Sequence, residues 1–543
     1  MRKLGVVIDV NGLKIKFRIS EGAVVERGQL CKVVSNGVKY VLKVVDFRPE
    51  TLLSTAEIAR LSKRVDYEEA ELDLVYDGVR IFNTAIATLV CEISDDGTVH
   101  KPLSSPPLFS EVYEVDENDL KQLNLSSGDL AIGTVRLGRR ATSIPVTLNG
   151  SKAFPHHVLI CAATGGGKTN LAKVLSLAVM NANENSGERK YSLIVFDCEA
   201  EYFDGGDPSH LGLVHSPLSE KWLYLISNRV SRPCKLKYVF RYGRVEVERY
   251  IEAHPLAIPY SELRPEDMVL TGDFTPAQEE LMWLAWKVKE SDWLSFLLNS
   301  APDTIFCVLR KEVHKNTILT LKRKLKYFLG HGEVFRQETE HNLIPTLLEK
   351  IAEGKVVLIE VTHLSEGEEK LLATVIASRI FKFYEGTRKR KPDTWIRLPT
   401  VGILVEEAHR YLSKELAERY RENIFSVIAK RGRKYRVGLI LITQMPGELH
   451  ETVIRQSLTK IILPLPTKPD YSKVIHYSPY LDESENEIKT LERGEALVVS
   501  TPSGYRFAVP VKVYRFEDLV LDQLNAEIKL RELMKAPLYS QSS

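Results

Sequence analysis

A chain of 543 residues, 44% hydrophobic and 27% charged, is composed like a globular protein, and at about 150 residues per domain it holds roughly two to four domains. A formal net charge of +2 excludes a global basic field, so a nucleic-acid partner would have to be met by local clusters. No apolar run reaches the ~18 to 20 residues of a membrane span, Asp9 and Asn11 interrupt any signal-peptide core in MRKLGVVIDVNG, and the six scattered cysteines form no C-x-x-C pair, which together predict a cytoplasmic protein with no membrane association.

Residues 1–145 read as β-rich. GVVID, LKIKFRI, QLCKVVS and YVLKVVDF are short β-branched runs, and the Asn11-Gly12 and Asn36-Gly37 pairs are hairpin signals. A helical patch spans about Thr55 to Asp73, then strands resume at VRIFNTAIATLVCEI and LAIGTVRL. Short strands closing on one another predict a small barrel. It carries no catalytic constellation, so assembly or partner docking is the expected role.

Residues 146–210 open an α/β core. VLICAATGGGKTNLAK reads as a buried strand, a glycine-rich turn and a helix with Leu171, Ala172, Val174, Leu175 and Ala178 at helical spacing. That order is the context of a phosphate-binding loop. Gly165, Gly166 and Gly167 let backbone N–H groups face a phosphate without Cβ clashes, and the new helix adds the positive end of its dipole. Lys168 would reach the β and γ phosphates and the Thr169 hydroxyl would hold Mg²⁺, with Thr164 and Asn170 completing the nucleotide-binding set. Ala162 stands where the usual pattern has its first glycine. A plain glycine turn would leave the Lys-Thr pair unexplained. SLIVFDCEAEYF then gives a strand ending in Asp197, Glu199 and Glu201, and Asp197 is the best placed to face a ligand crevice and serve a metal; the alternative is a solvated acidic loop.

Residues 211–350 are predicted as a helical insertion, from PAQEELMWLAWKV, DWLSFLL and NTILTLKRKLKYFLG. Its basic segment (Arg310, Lys311, Lys315, Lys322, Arg323, Lys324, Lys326) is either a solvated helix face or a phosphate-backbone contact. The core resumes over 351–515. KVVLIEVTHL is a strand buried on both faces, and a long helix ends in the basic cluster Arg388 to Lys391. TVGILVEEAHRYL then carries paired carboxylates, Glu406 and Glu407, at a strand tip about 240 residues after the loop. One would orient the Mg²⁺ shell and the next would polarise attacking water. Arg431, Arg433, Lys434 and Arg436 precede the strand VGLILIT, whose tip holds Thr443-Gln444. Gln444 is suited to sense a γ-phosphate, and an arginine of the cluster could serve as a finger to a neighbouring subunit. Residues 516–543 are predicted as a C-terminal helical tail.

VLICAATGGGKTN, SLIVFDCEAEY, VVLIEVTHL, ILVEEAH, KRGRKYRVGLILITQMP and RQSLTKIIL occur in an order that resembles the HerA family of archaeal hexameric DNA translocases, relatives of FtsK and of conjugative-secretion ATPases. The resemblance covers about 140–510 and extends to the N-terminal barrel. It implies an α/β, RecA-like P-loop core assembled as a homohexamer, ATP between subunits and double-stranded DNA in the pore. The activity it implies is an ATP-driven DNA translocase or helicase, working with a NurA-type nuclease in DNA end resection and double-strand break repair. It assigns Lys168 and Thr169 to the phosphate loop, Glu406 as the metal-side acid, Glu407 as the catalytic base, Arg433 as the arginine of the G-R-K element and Gln444 as sensor. RGEALVVSTPSGYRFAVP resembles strands that brace the neighbouring subunit. His156-His157 stand where the family often has Arg-His, so His156 is a candidate replacement phosphate contact. Other readings are a ring of the same fold remodelling a protein or RNA, a DNA pump of the conjugative type, and a ring that binds ATP but barely hydrolyses it.

Overall fold

The structure, a computed structural model, describes residues 2–66, 81–207, 209–243, 245–309, 314–415 and 423–535. The far end of the expected Thr55–Asp73 helix, Arg310 and Lys311, and the tail beyond Lys535 lie outside them. The chain divides into two compact units, one built from Met1–Ser127, Gly133–Thr147 and Ile462–Val513, the other from Gly128–Ile132, Leu148–Ile461 and Tyr514–Ser543.

In the first unit, the strands Lys14–Ile19, Lys3–Asn11, Glu111–Glu114, Leu30–Ser35, Val38–Thr51 and Ile81–Ile93 pair in that order. Lys14–Ile19 also pairs with Ile81–Ile93, which closes the expected barrel. Every second residue points inward, so Leu4, Val7, Ile15, Phe17, Val33, Leu42, Val44, Ala85 and Ala87 fill one apolar core. Asn36 and Gly37 turn the Leu30–Val38 hairpin with φ of 51° and 75°, the doubly left-handed turn their pairing forecast. Leu130–Leu137, expected among the barrel strands, instead pairs outside the barrel sheet, in the run Glu495–Ser500, Val509–Val513, Leu130–Leu137, Arg140–Leu148.

Residues 462–513 therefore cluster with the N-terminal unit, whereas the sequence reading places them in the core that resumes over 351–515. A buried ion cluster helps hold them there. Glu487, almost wholly buried, accepts from Lys43 at 3.0 Å and from Arg136 at 3.3 Å, and Lys43 also donates to the Ala508 carbonyl.

The second unit contains a mainly parallel sheet in the order Cys234–Tyr242, Val245–Pro255, Leu223–Ser227, Val356–Glu360, Tyr191–Asp197, Thr400–Val405, Val437–Thr443, Val158–Cys161, Thr459–Ile462. The inner strands are fully buried β-branched and leucine runs, as parallel strands covered on both faces must be. The helix Lys168–Ser186 packs against them and ends at Gly187, which supplies the left-handed cap.

The stretch 211–350 departs from the helical expectation. Its first third supplies three strands, of which Cys234–Tyr242 and Val245–Pro255 form an antiparallel hairpin at the sheet edge. The alternation in CKLKYVFRY shows this once an edge strand with one half-buried face is considered. Helices follow from Pro265 to Ala352, with Trp293 buried and its indole N–H donating to the Leu263 carbonyl at 2.9 Å. Arg379, on the long helix Glu366–Arg390, anchors this helical part through a two-pronged pair with buried Asp267 at 2.8 and 2.9 Å. Of the basic segment, Lys315 pairs with Asp303, while Lys322 and Lys324 donate to the Ser300 and Asp273 carbonyls. These cations serve the helical part itself.

Removing one member of a buried ion cluster strands the other charges. Glu487→Ala is expected to destabilise the chain by about 3–5 kcal/mol, whereas Glu111→Ala, which breaks the exposed Lys3 pair, should leave stability close to that of the parent. Urea unfolding of the two variants beside the parent measures the difference.

Candidate functional site

Parallel pairing brings the C-terminal tips of the inner strands to one sheet edge. Cys161 pairs level with Thr443, and Val405 with Leu441, so Glu407 follows its strand at the height of Thr443. The glycine loop, Gln444 and the two glutamates thus come from three neighbouring strands.

The loop turns on Gly165 and Gly167, at φ of 72° and 99°. A Cβ at either position would meet nothing within 4 Å, so glycine is required by backbone handedness and not by space. Gly167 is the N-cap of the Lys168 helix, which leaves the first helical N–H groups directed at the loop. Ala162 is fully buried and outside the left-handed region, its N–H donating to the Thr443 carbonyl at 3.2 Å. An alanine therefore fits where the usual pattern places glycine.

Gln444 joins the loop to the paired acids. Its carbonyl accepts from the Thr164 hydroxyl at 2.5 Å, and its amide donates to Glu407 at 2.6 Å. The Lys168 ammonium lies 3.9 Å from the same carboxylate. Burial lowers the Lys168 pKa, and Glu407 and Glu406 pull it back up. Glu407 itself sits at φ 44°, a left-handed conformation that a non-glycine residue keeps only where its surroundings enforce it. Its second oxygen lies 3.4 Å from His409 Nδ1.

Burial pushes the Glu406 carboxyl up to about 7; the hydrogen bond from Tyr202 opposes this, and the charges of Asp197, Glu201 and Glu407 add to it. The Tyr202 hydroxyl donates to Glu406 at 2.6 Å. Asp197 is fully buried and its pKa rises to about 6, chiefly from burial. Its two oxygens accept the backbone N–H groups of Glu201 and Tyr202, each at 3.1 Å. Three strand spacings of about 4.8 Å separate its strand from the loop strand, so the structure does not bring Asp197 to the phosphate loop as a metal ligand would require.

Three further expected residues stand apart. Asn170 gives its side chain to the C-terminal helix, donating to the Tyr514 carbonyl at 2.8 Å and accepting from Phe516 N–H at 2.8 Å. His156 precedes the loop strand at its opposite end, with Nδ1 2.7 Å from the Lys152 carbonyl. Arg433 is exposed on the helix Ile424–Tyr435, at the start of a seven-residue strand whose far tip leads to Gln444, roughly 20 Å along the sheet. Within one chain it is not part of the site. Thr169 is half-buried in the first turn of the loop helix, beside Lys168.

Tyr202, His409 and Glu369 were not singled out from sequence. Tyr202 closes the D-C-E-A-E-Y stretch and His409 the E-E-A-H stretch, so both neighbour acids that the sequence marks. Glu369, which accepts from Tyr411 at 3.2 Å and Cys198 at 3.5 Å, comes from a distant helix and has no local signal. Among the described residues no group of three or more His, Cys, Asp or Glu is placed to hold a metal ion alone. The donor set of Thr169 hydroxyl and strand-tip carboxylate instead fits Mg²⁺, which takes much of its octahedron from nucleotide phosphates and water.

A glycine loop opening a helix, with acids and a glutamine on adjacent parallel strand tips, defines a P-loop nucleotide site of the NTPase class. Residues 130–380 match the family described as "Helicase HerA, central domain". The resemblance is therefore to HerA, and it extends beyond that segment. The chain is 25% identical over 457 residues to the DNA double-strand break repair helicase HerA of Saccharolobus solfataricus, covering 82% of this chain and 80% of that protein. It is 23% identical over 446 residues to the protein so named in Pyrococcus furiosus, covering 75% and 73%. Among solved structures, the bacterial conjugative coupling protein TrwBdeltaN70 is 13% identical with a TM-score of 0.44, covering 74% of this chain and 92% of that chain.

His157, next to the expected His156, is buried and structural. Its Nδ1 accepts from Leu439 N–H at 3.0 Å and Nε2 faces the Ala429 carbonyl at 2.9 Å, the pattern of a neutral ring. Burial pushes its pKa down from 6.5 to about 4. A depressed pKa means that its stabilisation is complete above about 6.5 and is lost as pH falls toward 4. His157→Asn, which keeps an acceptor for Leu439 and suits the left-handed backbone at φ 60°, should lose less thermal stability than the parent between pH 7 and 4.5. Melting curves at the two pH values check this.

Proposed function

We propose that this chain is a Mg²⁺-dependent ATPase that acts as a homohexameric ring and drives translocation along double-stranded DNA, with a NurA-type nuclease as partner in end resection. The observation that carries the ATPase reading is the hydrogen-bonded run from Thr164 through Gln444 to Glu407, which links the phosphate loop to a base candidate. The relatives named DNA double-strand break repair helicase support the DNA substrate, since the chain matches about four-fifths of the length of one of them.

In this reading the loop amides and Lys168 hold the β and γ phosphates and stabilise charge as the phosphoryl group transfers. Glu407 accepts the proton of the attacking water, and its oxygen is aimed by Gln444. Glu406 and Thr169 would hold Mg²⁺, which neutralises phosphate charge when bound. Arg433, remote from its own loop, would complete the site of an adjacent subunit as an arginine finger. That division of labour makes hydrolysis depend on assembly.

The expected result for Glu407→Gln is ATP affinity near that of the parent with turnover lowered by about 10²- to 10⁴-fold. Near-parental turnover would rule out Glu407 as the base. For the parent, linear duplex DNA should stimulate turnover, and the stimulation should weaken as salt rises, because phosphate contacts are lost with released counterions. ATPase assays with and without DNA at two salt concentrations, beside the mass in solution, test this. Turnover indifferent to DNA would shift the substrate to a protein or RNA.

A further inference from the structure

Asp197 ends the Tyr191–Asp197 strand, and Tyr202 lies five residues further on, across the turn that follows. Tyr202 is 1% exposed and Asp197 0%. The turn between them passes through Ala200 at φ 57°, a left-handed conformation unfavourable for alanine. Asp197 holds that turn closed: one carboxylate oxygen accepts from Glu201 N–H and the other from Tyr202 N–H, both at 3.1 Å. The closed turn delivers the Tyr202 hydroxyl to Glu406 Oε1 at 2.6 Å. The Tyr191–Asp197 and Thr400–Val405 strands are direct neighbours, so a side chain leaving one tip can reach the other.

We infer that Asp197 and Tyr202 are positioning residues, a two-step brace that fixes the rotamer of Glu406 and so sets the geometry with which the site engages Mg²⁺. This rests on the reading of Glu406 as the metal-side acid given above. It reassigns Asp197, for which a ligand role had been expected, to the backbone of the turn, and it gives the buried hydroxyl of Tyr202 a use. A ligating carboxylate is free to swing about its side-chain torsions unless a neighbour fixes one oxygen. Loss of such an outer partner commonly lowers metal affinity or activity by about 10- to 100-fold while the ligand itself remains. The hydroxyl donates to Oε1, so one oxygen of the Glu406 carboxylate is held by the brace. Burial of the tyrosine ring keeps the donor from rotating away.

The test compares Tyr202→Phe, Glu406→Gln and the double variant with the full-length parent. Tyr202→Phe keeps the buried ring and removes only the hydroxyl. The readouts are the affinity for a fluorescent, non-hydrolysable ATP analogue, titrated with Mg²⁺ and repeated in EDTA, and the ATPase kcat and KM. The expected result for Tyr202→Phe is parental melting and parental affinity in EDTA, with the Mg²⁺ concentration for half-maximal effect raised about 10-fold or more and kcat lowered more than KM is raised. The double variant should be no worse than Glu406→Gln, because both act through one carboxylate. Asp197→Asn, which keeps one acceptor and loses the other, should shift Mg²⁺ dependence in the same direction, and adding Ala200→Gly should recover part of the loss by relaxing the left-handed turn. An unchanged Mg²⁺ dependence in Tyr202→Phe beside an impaired Glu406→Gln overturns the brace alone. No impairment in either overturns the assignment of Glu406 and the brace with it.

Discussion

Parallel strand pairing in register is the constraint on which the rest of this structure depends. Cys161 level with Thr443 and Val405 level with Leu441 place the glycine loop, Gln444 and Glu407 side by side along one edge. A slip of one residue in the Thr400–Val405 strand would put Glu406 where Glu407 stands and reverse which side chains face the core. The fully buried apolar runs that fix this register are therefore part of the chemistry. Gly402 shows how tight the arrangement is, since a Cβ there would stand 2.9 Å from Ile440 Cδ1 and 3.1 Å from Leu193 Cδ1.

Against that rigid edge, the polar atoms form short relays. Thr164, Gln444 and Glu407 make one, linking phosphate binding to the base candidate. Asp197, Tyr202 and Glu406 make another. The two meet at adjacent residues of one strand tip, where Glu407 adopts its left-handed backbone. A strained conformation at a convergence of two hydrogen-bonded runs is the kind of over-determined geometry that functional sites retain.

Much of this was legible in the sequence because its signals are local. The glycine loop between strand and helix, the acids after Val405 and the Asn36-Gly37 hairpin each announce themselves within a dozen residues. What was not legible is lateral or directional. That Asp197 lies three strands from the loop depends on strand order, which no local pattern encodes. His156 neighbours the loop strand in sequence, but at the end that points away from the loop. Asn170 follows the loop directly, yet its amide is claimed by the C-terminal helix 344 residues later. The hairpin of Cys234–Tyr242 and Val245–Pro255 was obscured because an edge strand with exposed lysines, Lys235 and Lys237, lacks the continuous apolar run of its buried neighbours. Residues 462–513 carry core-like strands, and it takes non-local contacts such as the Lys43–Glu487–Arg136 cluster and the pairing of Val511 with Val135 to show which unit they complete.

The measurement that tests the central claim most directly is a single-turnover ATP hydrolysis assay on Gln444→Ala, run beside equilibrium ATP binding. If the amide couples the phosphate loop to Glu407, the variant binds ATP within a few-fold of the parent and its chemical step slows by about 100-fold, the scale expected when a preorganised hydrogen-bond donor is lost from an active site. A chemical step at the parental rate would contradict the account, because Glu407 would then be aimed by something other than the strand-tip amide.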